Sequence, residues 1–142
     1  MIFLKEKAKA LLLLHEDIKL MPYKCTSGRL TIGIGRNLED NGISTSEAFM
    51  MLENDILACQ TDLSFLIFPH QFYDFPENIQ LVLIDMRFQL GGRGFRAFKK
   101  MIFAFQNLDY TEAIEQMKDS KWYGQVKTRA DHLIKMVIDE IK

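Results

Sequence analysis

A carboxylic acid, a threonine hydroxyl and three glycines lie close together between residues 15 and 36 of this 142-residue chain. The acid, Glu16, follows a strongly apolar run, and the threonine opens the segment Thr31-Ile32-Gly33-Ile34-Gly35. Glycine lets the backbone approach another group closely or adopt positive φ without steric cost. A carboxyl group at a helix end that faces a short hairpin can serve as the proton donor of a cleft. We therefore predict that this stretch forms an active site.

The elements that must position these groups can be predicted from the spacing of apolar and turn-forming residues. Residues 2–15 carry apolar side chains at three- and four-residue steps, which predicts a helix that ends before Pro22. Residues 23–25 and 30–32 are predicted to pair as strands across a tight turn. Residues 37–42 are predicted to form a loop.

The rest of the chain is predicted to be helical, which makes the fold class α+β and mostly α-helical. Ser44 and Glu47 match the S-x-x-E capping box, so a helix should begin at Thr45 and continue to about residue 65. The proline- and aromatic-rich segment that follows should be irregular. Further helices are expected at about 76–90, 94–106, 109–119 and 127–141, with Gly91-Gly92 ending the first of them and residues 120–124 separating the last two.

Length and composition are those of one soluble globular domain, because 48% of the residues are hydrophobic and 26% are charged. The net charge of −1 argues against a nucleic-acid protein that binds phosphates. A basic cluster in the second half is typical of a solvated helix face, and it consists of Arg87, Arg93, Arg96, Lys99 and Lys100. Two cysteines, Cys25 and Cys59, are too few for a disulfide scaffold, and neither they nor the histidines show metal-ligand spacing. The N-terminal apolar run is too short for a signal peptide or a membrane span, so we expect synthesis in a cytosol with reduced thiols.

Several motifs together resemble the phage endolysins of the T-even phage lysozyme family. They are the helix before Glu16, Tyr-Lys-x-Thr at 23–26, Thr-Ile-Gly-Ile-Gly at 31–35, Ile-Asp-Met-Arg-Phe-Gln-Leu-Gly at 84–91, and Ser-Lys-Trp-Tyr at 120–123 with Arg129-Ala130 soon after. Each motif is weak alone, but their order and spacing span nearly the whole chain. The resemblance implies a single lysozyme-like domain over residues 1–142 with two lobes and a cleft between them. The small β-hairpin lobe would cover about 17–60, and the helical lobe would combine 1–16 with about 61–142.

The resemblance also implies catalytic roles for three residues. Glu16 would be the general acid, and Thr31 matches a threonine that holds the attacking water, although a surface acid and an ordinary strand residue are the alternatives. Cys25 stands where the family usually has an aspartate, nine residues beyond the glutamate. A thiolate there would act as a base, whereas a neutral thiol would be a half-buried packing residue. Because an ordinary thiol pKa is about 8.5, only a few per cent thiolate is expected at neutral pH.

Three further residues are implied as supporting groups. Arg129 corresponds to a family arginine that pairs with the catalytic glutamate. Tyr23 and Gln89 would line the cleft and bind sugar groups, or would be structural. Trp122 and Cys59 are predicted to be core residues, and no metal or cofactor is implied.

The activity implied by the resemblance is that of a muramidase, which hydrolyses the β-1,4 bond between N-acetylmuramic acid and N-acetylglucosamine in peptidoglycan during host cell lysis by a phage. The expected partners are peptidoglycan glycan strands and a membrane-opening holin, with no nucleic acid and no stable membrane association. The chain is expected to be a monomer that stays in the host cytoplasm until the membrane opens and then acts on the cell wall. The alternative is a non-catalytic glycan-binding or phage structural domain with the same fold, and Cys25 is the reason to consider it.

Overall fold

The computed structural model describes residues 2–67 and 71–141 of the chain. By its internal contacts the chain divides into two compact units, Met1–Met50 and Met51–Lys142. The first unit holds the small sheet and the second holds most of the helices. The prediction of a single domain with two lobes stays a prediction.

The first unit contains a helix followed by a three-stranded antiparallel sheet in the order β1-β2-β3. Its elements are α1 (Ile2–His15), β1 (Lys19–Lys24), β2 (Leu30–Gly33), β3 (Arg36–Asn37), α2 (Leu38–Asn41) and the start of α3 (Thr45–Leu66). In the β1–β2 ladder Tyr23 lies opposite Thr31, and Lys24 lies opposite Leu30. The predicted first helix and the predicted hairpin are therefore confirmed.

The first strand is longer than predicted, and it contains a proline. It begins at Lys19 rather than Tyr23, and its register shifts between these two residues. Pro22 lies in this irregular part of the strand. Because β1 is an edge strand, one side of its backbone has no strand partner, and the missing N–H of proline is tolerated there. The proline therefore made the predicted strand begin too late.

The predicted loop at 37–42 is wrong, because this segment forms β3 and the short helix α2. Asn37 caps the helix: its side-chain oxygen accepts a hydrogen bond from the backbone N–H of Asp40 at 3.1 Å. Gly42 ends the helix with positive φ, and its N–H donates to the carbonyl of Leu38. Asparagine, aspartate and glycine are typical of loops, but they are also the residues that begin and end helices.

The predicted capping box at the start of α3 is confirmed. The N–H of Ser44 donates to the Glu47 carboxylate at 2.9 Å, and the N–H of Glu47 donates to the Ser44 hydroxyl at 3.2 Å. Arg36 binds both carboxylate oxygens of Glu47, each at 2.9 Å. Hydrogen bonds from Arg36 and Ser44 lower the pKa of Glu47 to about 2. This pair ties β3 to the first turn of α3.

The second unit contains the larger hydrophobic core. Its elements after α3 are α4 (Gln71–Asp74), α5 (Glu77–Arg96), α6 (Lys99–Gln106), α7 (Tyr110–Lys118), α8 (Lys121–Gln125) and α9 (Lys127–Ile138). Three phenylalanines, Phe72, Phe95 and Phe105, are fully buried in the core, and Cys59 and Trp122 are buried as predicted. The fold class, α+β and mostly helical, is therefore confirmed.

Two helix boundaries in this unit differ from the prediction. The helical backbone of α5 breaks at Gly91, with φ 74° and ψ 169°, so the predicted end of the central helix at Gly91-Gly92 is confirmed. The predicted helix at 94–106 is interrupted instead, because the stretch after Gly91 ends at Arg96 and α6 begins at Lys99. The predicted separator at 120–124 is the short helix α8, because the Ser120 hydroxyl accepts a hydrogen bond from the N–H of Tyr123. The segment expected to be irregular contains α4, and its residues 68–70 lie outside the described residues.

In residues 2–67 and 71–141, no helix combines the length and the apolar character needed to cross a bilayer. Part of the predicted basic cluster has a structural role. Arg87 donates to the Asp62 carboxylate at 2.6 Å, and Arg96 also binds this carboxylate. These two arginines join α5 to α3 and are not simply part of a solvated face.

Candidate active site

Glu16 lies directly after the last residue of α1. Its backbone N–H donates to the carbonyl of Leu12 at 2.8 Å, so the helical turn carries its side chain. The side chain is exposed. The position of its carboxyl group is therefore set by the end of the helix and by what lies against it.

The group that lies against the Glu16 carboxyl is the backbone of Gly35, in the turn between β2 and β3. A Cβ atom built at Gly35 would lie 3.1 Å from the carboxyl carbon of Glu16, and 3.2 Å and 3.4 Å from its two oxygens. The φ of Gly35 is +69°, a conformation that side chains rarely adopt. Only glycine leaves room for this approach without strain. The expectation that Glu16 faces the glycine-rich hairpin is confirmed.

Cys25 begins the turn that connects β1 to β2. Its N–H donates to the carbonyl of Arg29 at 3.0 Å, and its carbonyl accepts from the N–H of Gly28 at 2.8 Å. These two bonds close the turn. The half-buried sulfur lies 3.1 Å from the hydroxyl oxygen of Ser27.

The environment of this turn favours the thiolate form of Cys25. Hydrogen bonds from the Ser27 hydroxyl, from the backbone of Arg29 and Ser27, and from the Thr31 hydroxyl lower the pKa of Cys25 to about 7, against a small opposing effect of burial. The thiolate fraction of Cys25 at neutral pH is therefore larger than that of an ordinary thiol. The few per cent expected from the sequence apply to an ordinary thiol, and the sequence alone could not include the hydrogen-bond donors of the turn.

Thr31 is the buried polar residue of the first unit, with 3% of its surface exposed. Its hydroxyl donates to the carbonyl of Arg29 at 2.9 Å and also interacts with the Cys25 sulfur. Tyr23 is half-buried and lies directly opposite Thr31 across the ladder, so the two side chains share one face of the sheet. The structure thus places Cys25, Thr31 and Tyr23 beside one another.

The two supporting residues predicted in the second unit have partners within that unit. Gln89 accepts a hydrogen bond from the indole N–H of Trp122 at 2.7 Å, which favours the structural interpretation of Gln89. Arg129 donates to the Asp85 carboxylate at 2.6 Å, at the wall of a mostly apolar cavity of about 390 Å³. The expected pairing of Arg129 with Glu16 stays a prediction.

Sequence reasoning missed three contributions to this site. The sequence indicated that the glycines of this segment allow a close approach of another group, but it did not identify the contact between Gly35 and Glu16. Ser27 was treated as a turn former, although a hydroxyl two residues after a cysteine is a visible signal. Glu39 was assigned to a loop, but its carboxylate accepts from the N–H of Leu30 at 2.9 Å and so supports β2 from α2.

The fold is lysozyme-like in class, a mostly helical α+β chain, and in it an acid after the first helix lies against a glycine turn of a small sheet. The chain is similar to two proteins of Dictyostelium discoideum, probable T4-type lysozymes 1 and 2, and is 26% identical to each. The match to the first covers 91% of this chain and 92% of that protein. The match to the second covers 89% of this chain and 90% of that protein. It is also 29% identical to the pre-baseplate central spike protein Gp5 of Enterobacteria phage T4, over 74% of this chain but 19% of that protein. No protein-family model matches the chain. The resemblance to lysozymes of the T4 type is confirmed.

Proposed function

We propose that this chain is a glycoside hydrolase that cleaves the β-1,4 bond between N-acetylmuramic acid and N-acetylglucosamine in peptidoglycan. The observation that carries the proposal is the Glu16 carboxyl group against Gly35, in a small sheet whose β1–β2 hairpin carries Cys25 in its turn and Thr31 in its second strand. The likeness to two proteins named as T4-type lysozymes, over about nine tenths of this chain, supports the same reaction class.

In the proposed reaction Glu16 acts as the general acid. Its protonated carboxyl group gives a proton to the glycosidic oxygen as the bond between that oxygen and the anomeric carbon breaks. The sugar becomes oxocarbenium-like in the transition state. Gly35 allows the turn to lie against the carboxyl group and so fixes where the proton is delivered.

A water molecule held by Thr31 and Cys25 completes the reaction. The water oxygen attacks the anomeric carbon, and the Cys25 thiolate accepts the proton that the water loses. The Thr31 hydroxyl donates its proton to the Arg29 carbonyl, and its oxygen can accept a hydrogen bond from the water and so position it. Exchange of protons with solvent then returns Glu16 to its acid form and Cys25 to its thiolate form.

The proposed setting of this reaction is host cell lysis by a phage. In this proposal the protein accumulates in the host cytoplasm and reaches the cell wall when a holin opens the membrane. Tyr23 would then contact the glycan strand, because it lies beside Thr31 on the sheet. This setting rests on the proposed hydrolase activity and adds the host cytoplasm as the location and a holin as the partner.

A second candidate is a structural, non-catalytic domain of a phage particle. The similarity to a protein named as a baseplate spike favours it, as does the cysteine at position 25 in place of the family's usual aspartate. Under this interpretation the chain would bind glycan without cleaving it. The lowered pKa of the Cys25 thiol argues for the hydrolase, because it supplies an anion at that position.

The anomeric form of the first product tests the proposed reaction. If Glu16 and a water do the chemistry, the released reducing end should appear first as the inverted α-anomer. Proton NMR of a fresh digest of purified peptidoglycan measures it. A β-anomer that appears first would contradict this mechanism and would require a covalent nucleophile such as Cys25.

Replacing Gly35 with alanine should damage the site more than the fold. The new Cβ would press on the Glu16 carboxyl group, and a displacement of about 1 Å is enough to lower a catalytic rate roughly a hundredfold. The positive φ should also cost about 1–2 kcal/mol of unfolding free energy. Wall-lysis rates and thermal unfolding of the purified variant measure the two effects.

Gly33→Ala is the matched control for this prediction. Gly33 has a φ of +71°, close to that of Gly35, but nothing lies within 4 Å of a Cβ built on it. Both variants should therefore lose similar stability, and only Gly35→Ala should lose most of its activity. Equal losses of activity in the two variants would show that backbone strain, not the contact with Glu16, is responsible.

A further inference from the structure

We propose that Ser27 is a positioning residue, which holds the sulfur of Cys25 as a thiolate where the reaction needs a proton acceptor. This inference rests on the proposed function, because it concerns the group assigned there as the base. Ser27 itself would contact neither the substrate nor the water. Its role would be to fix the charge and the direction of the Cys25 side chain.

The geometry of the turn supports a direct interaction. The Ser27 hydroxyl oxygen lies 3.1 Å from the Cys25 sulfur, a hydrogen-bonding distance for a thiolate acceptor. The backbone hydrogen bonds from Cys25 to Arg29 and Gly28 close the turn, so the backbones of Cys25 and Ser27 are held close to one another. Within the described parts of the chain, the Ser27 hydroxyl has no other hydrogen-bond partner. The hydroxyl proton is therefore free to point at the sulfur.

The chemistry favours donation from oxygen to sulfur. A hydrogen bond to an ionised acceptor is roughly twice as strong as one between neutral groups, so the serine binds the thiolate more tightly than the thiol. This difference is what lowers a pKa. Ser27 is the largest of the causes that bring the pKa of Cys25 to about 7. Without the Ser27 hydroxyl, only the backbone donors and the Thr31 hydroxyl would lower the pKa of Cys25.

Charged neighbours do not replace the serine. Lys24 and Arg29 flank the turn on the sequence, and α2 brings the carboxylates of Glu39 and Asp40 towards it. The Arg29 guanidinium lies 3.6 Å from the Glu39 carboxylate and 3.8 Å from the Asp40 carboxylate, so these two anions offset its positive charge near the turn. The causes of the lowered Cys25 pKa are hydrogen bonds rather than cations. An effect of hydrogen bonds should survive high salt, whereas an effect of exposed cations would be screened.

The first measurement is the rate of Cys25 alkylation by iodoacetamide as a function of pH, followed on the Cys25 peptide by mass spectrometry in 0.05 M and 1 M salt. Ser27→Ala should shift the midpoint towards the ordinary thiol value and slow alkylation at pH 7 roughly three- to tenfold. Ser27→Thr keeps the hydroxyl and should keep the parent profile. Thr26→Ala removes a neighbouring hydroxyl that, among the described contacts, does not touch the sulfur, and it should also keep that profile.

The second measurement is the pH dependence of wall lysis by the same variants. The acidic side of the rate profile should move to higher pH in Ser27→Ala by the same amount as the thiol midpoint, and Ser27→Thr should restore it. A merely structural role would lower the rate at every pH without moving the profile. An unchanged thiol midpoint in Ser27→Ala would overturn the proposal, as would a shifted midpoint with an unshifted lysis profile. A parent without lytic activity would refute the proposed function instead, and alkylation alone would then decide whether Ser27 holds the thiolate.

Discussion

Replacing Glu16 with glutamine is expected to lower the rate of cell-wall lysis at least about a hundredfold, the usual contribution of a general acid. The amide has nearly the shape of the carboxyl group but cannot deliver a proton to the glycosidic oxygen. The fold should survive, because the Glu16 side chain is exposed and its place after α1 is held by a backbone hydrogen bond to Leu12. The loss of light scattering from purified walls measures the rate, and thermal unfolding followed by circular dichroism checks the fold.

Asp17→Asn is the matched control for Glu16→Gln. Asp17 is the next residue, it is an exposed acid, and its nearest cation, Lys19, is 4.0 Å away. This variant loses one negative charge at nearly the same place and should keep the parent rate. If Glu16→Gln lyses walls as fast as Asp17→Asn does, Glu16 is not the acid.

Cys25→Ala is expected to lower the lysis rate roughly ten- to a hundredfold at neutral pH, because the water loses its proton acceptor. Cys25→Asp should keep or raise the rate, since a carboxylate supplies the same charge. The parent rate should rise with pH through about 7, where the thiol becomes a thiolate. The aspartate variant should stay active to lower pH, because an ordinary aspartate pKa is about 3.9. Lysis rates of the three proteins between pH 4 and 9 measure these differences.

Alkylation separates the catalytic role of Cys25 from a packing role. Iodoacetamide should inactivate the parent but spare Cys25→Asp, which keeps the buried Cys59 as an internal control. Burial raises the pKa of Cys59, so this thiol should react slowly. If Cys25→Ala matches the parent at every pH, Cys25 only packs, and Glu16 with Thr31 must suffice.

Local signals explain the parts of the fold that the sequence predicted correctly. The capping box of Ser44 and Glu47 involves residues three apart, and its two hydrogen bonds form within one turn of α3. The β1–β2 pairing follows from two short apolar runs around a glycine turn, and the structure places Tyr23 opposite Thr31. Such features depend on neighbouring residues, so they can be predicted without knowledge of the tertiary structure.

The errors came from residue types that occur in more than one kind of local structure. Asn37 and Ser120 occur in loops, but here each caps a short helix by accepting a hydrogen bond from a backbone N–H three residues later. Pro22 was expected to mark an ending, but an edge strand tolerates it. The helix break at Gly91 was predicted, whereas the interruption between Arg96 and Lys99 was not, because Ala97 and Phe98 carry no helix-breaking signal in the sequence.

The site was predictable in its residue types and less so in its interactions. Sequence reasoning chose Glu16, Thr31 and Cys25, but it could not know that the Glu16 carboxyl lies against Gly35, since 19 positions separate them. The pKa of Cys25 was equally hidden, because its donors converge only when the turn closes. The ion pair of Arg129 with Asp85 joins residues 44 positions apart and depends on the packing of the second unit.

The most direct test of the central claim is the release of new reducing ends from purified peptidoglycan by the unmodified protein, measured alongside its binding to the same walls by sedimentation. A glycoside hydrolase should produce reducing ends in step with the loss of turbidity, and mass spectrometry should find N-acetylmuramic acid at those ends. Glu16→Gln should still bind the walls but release almost none. Protein that sediments with the walls and releases no reducing ends would contradict the account and would favour a non-catalytic glycan-binding domain.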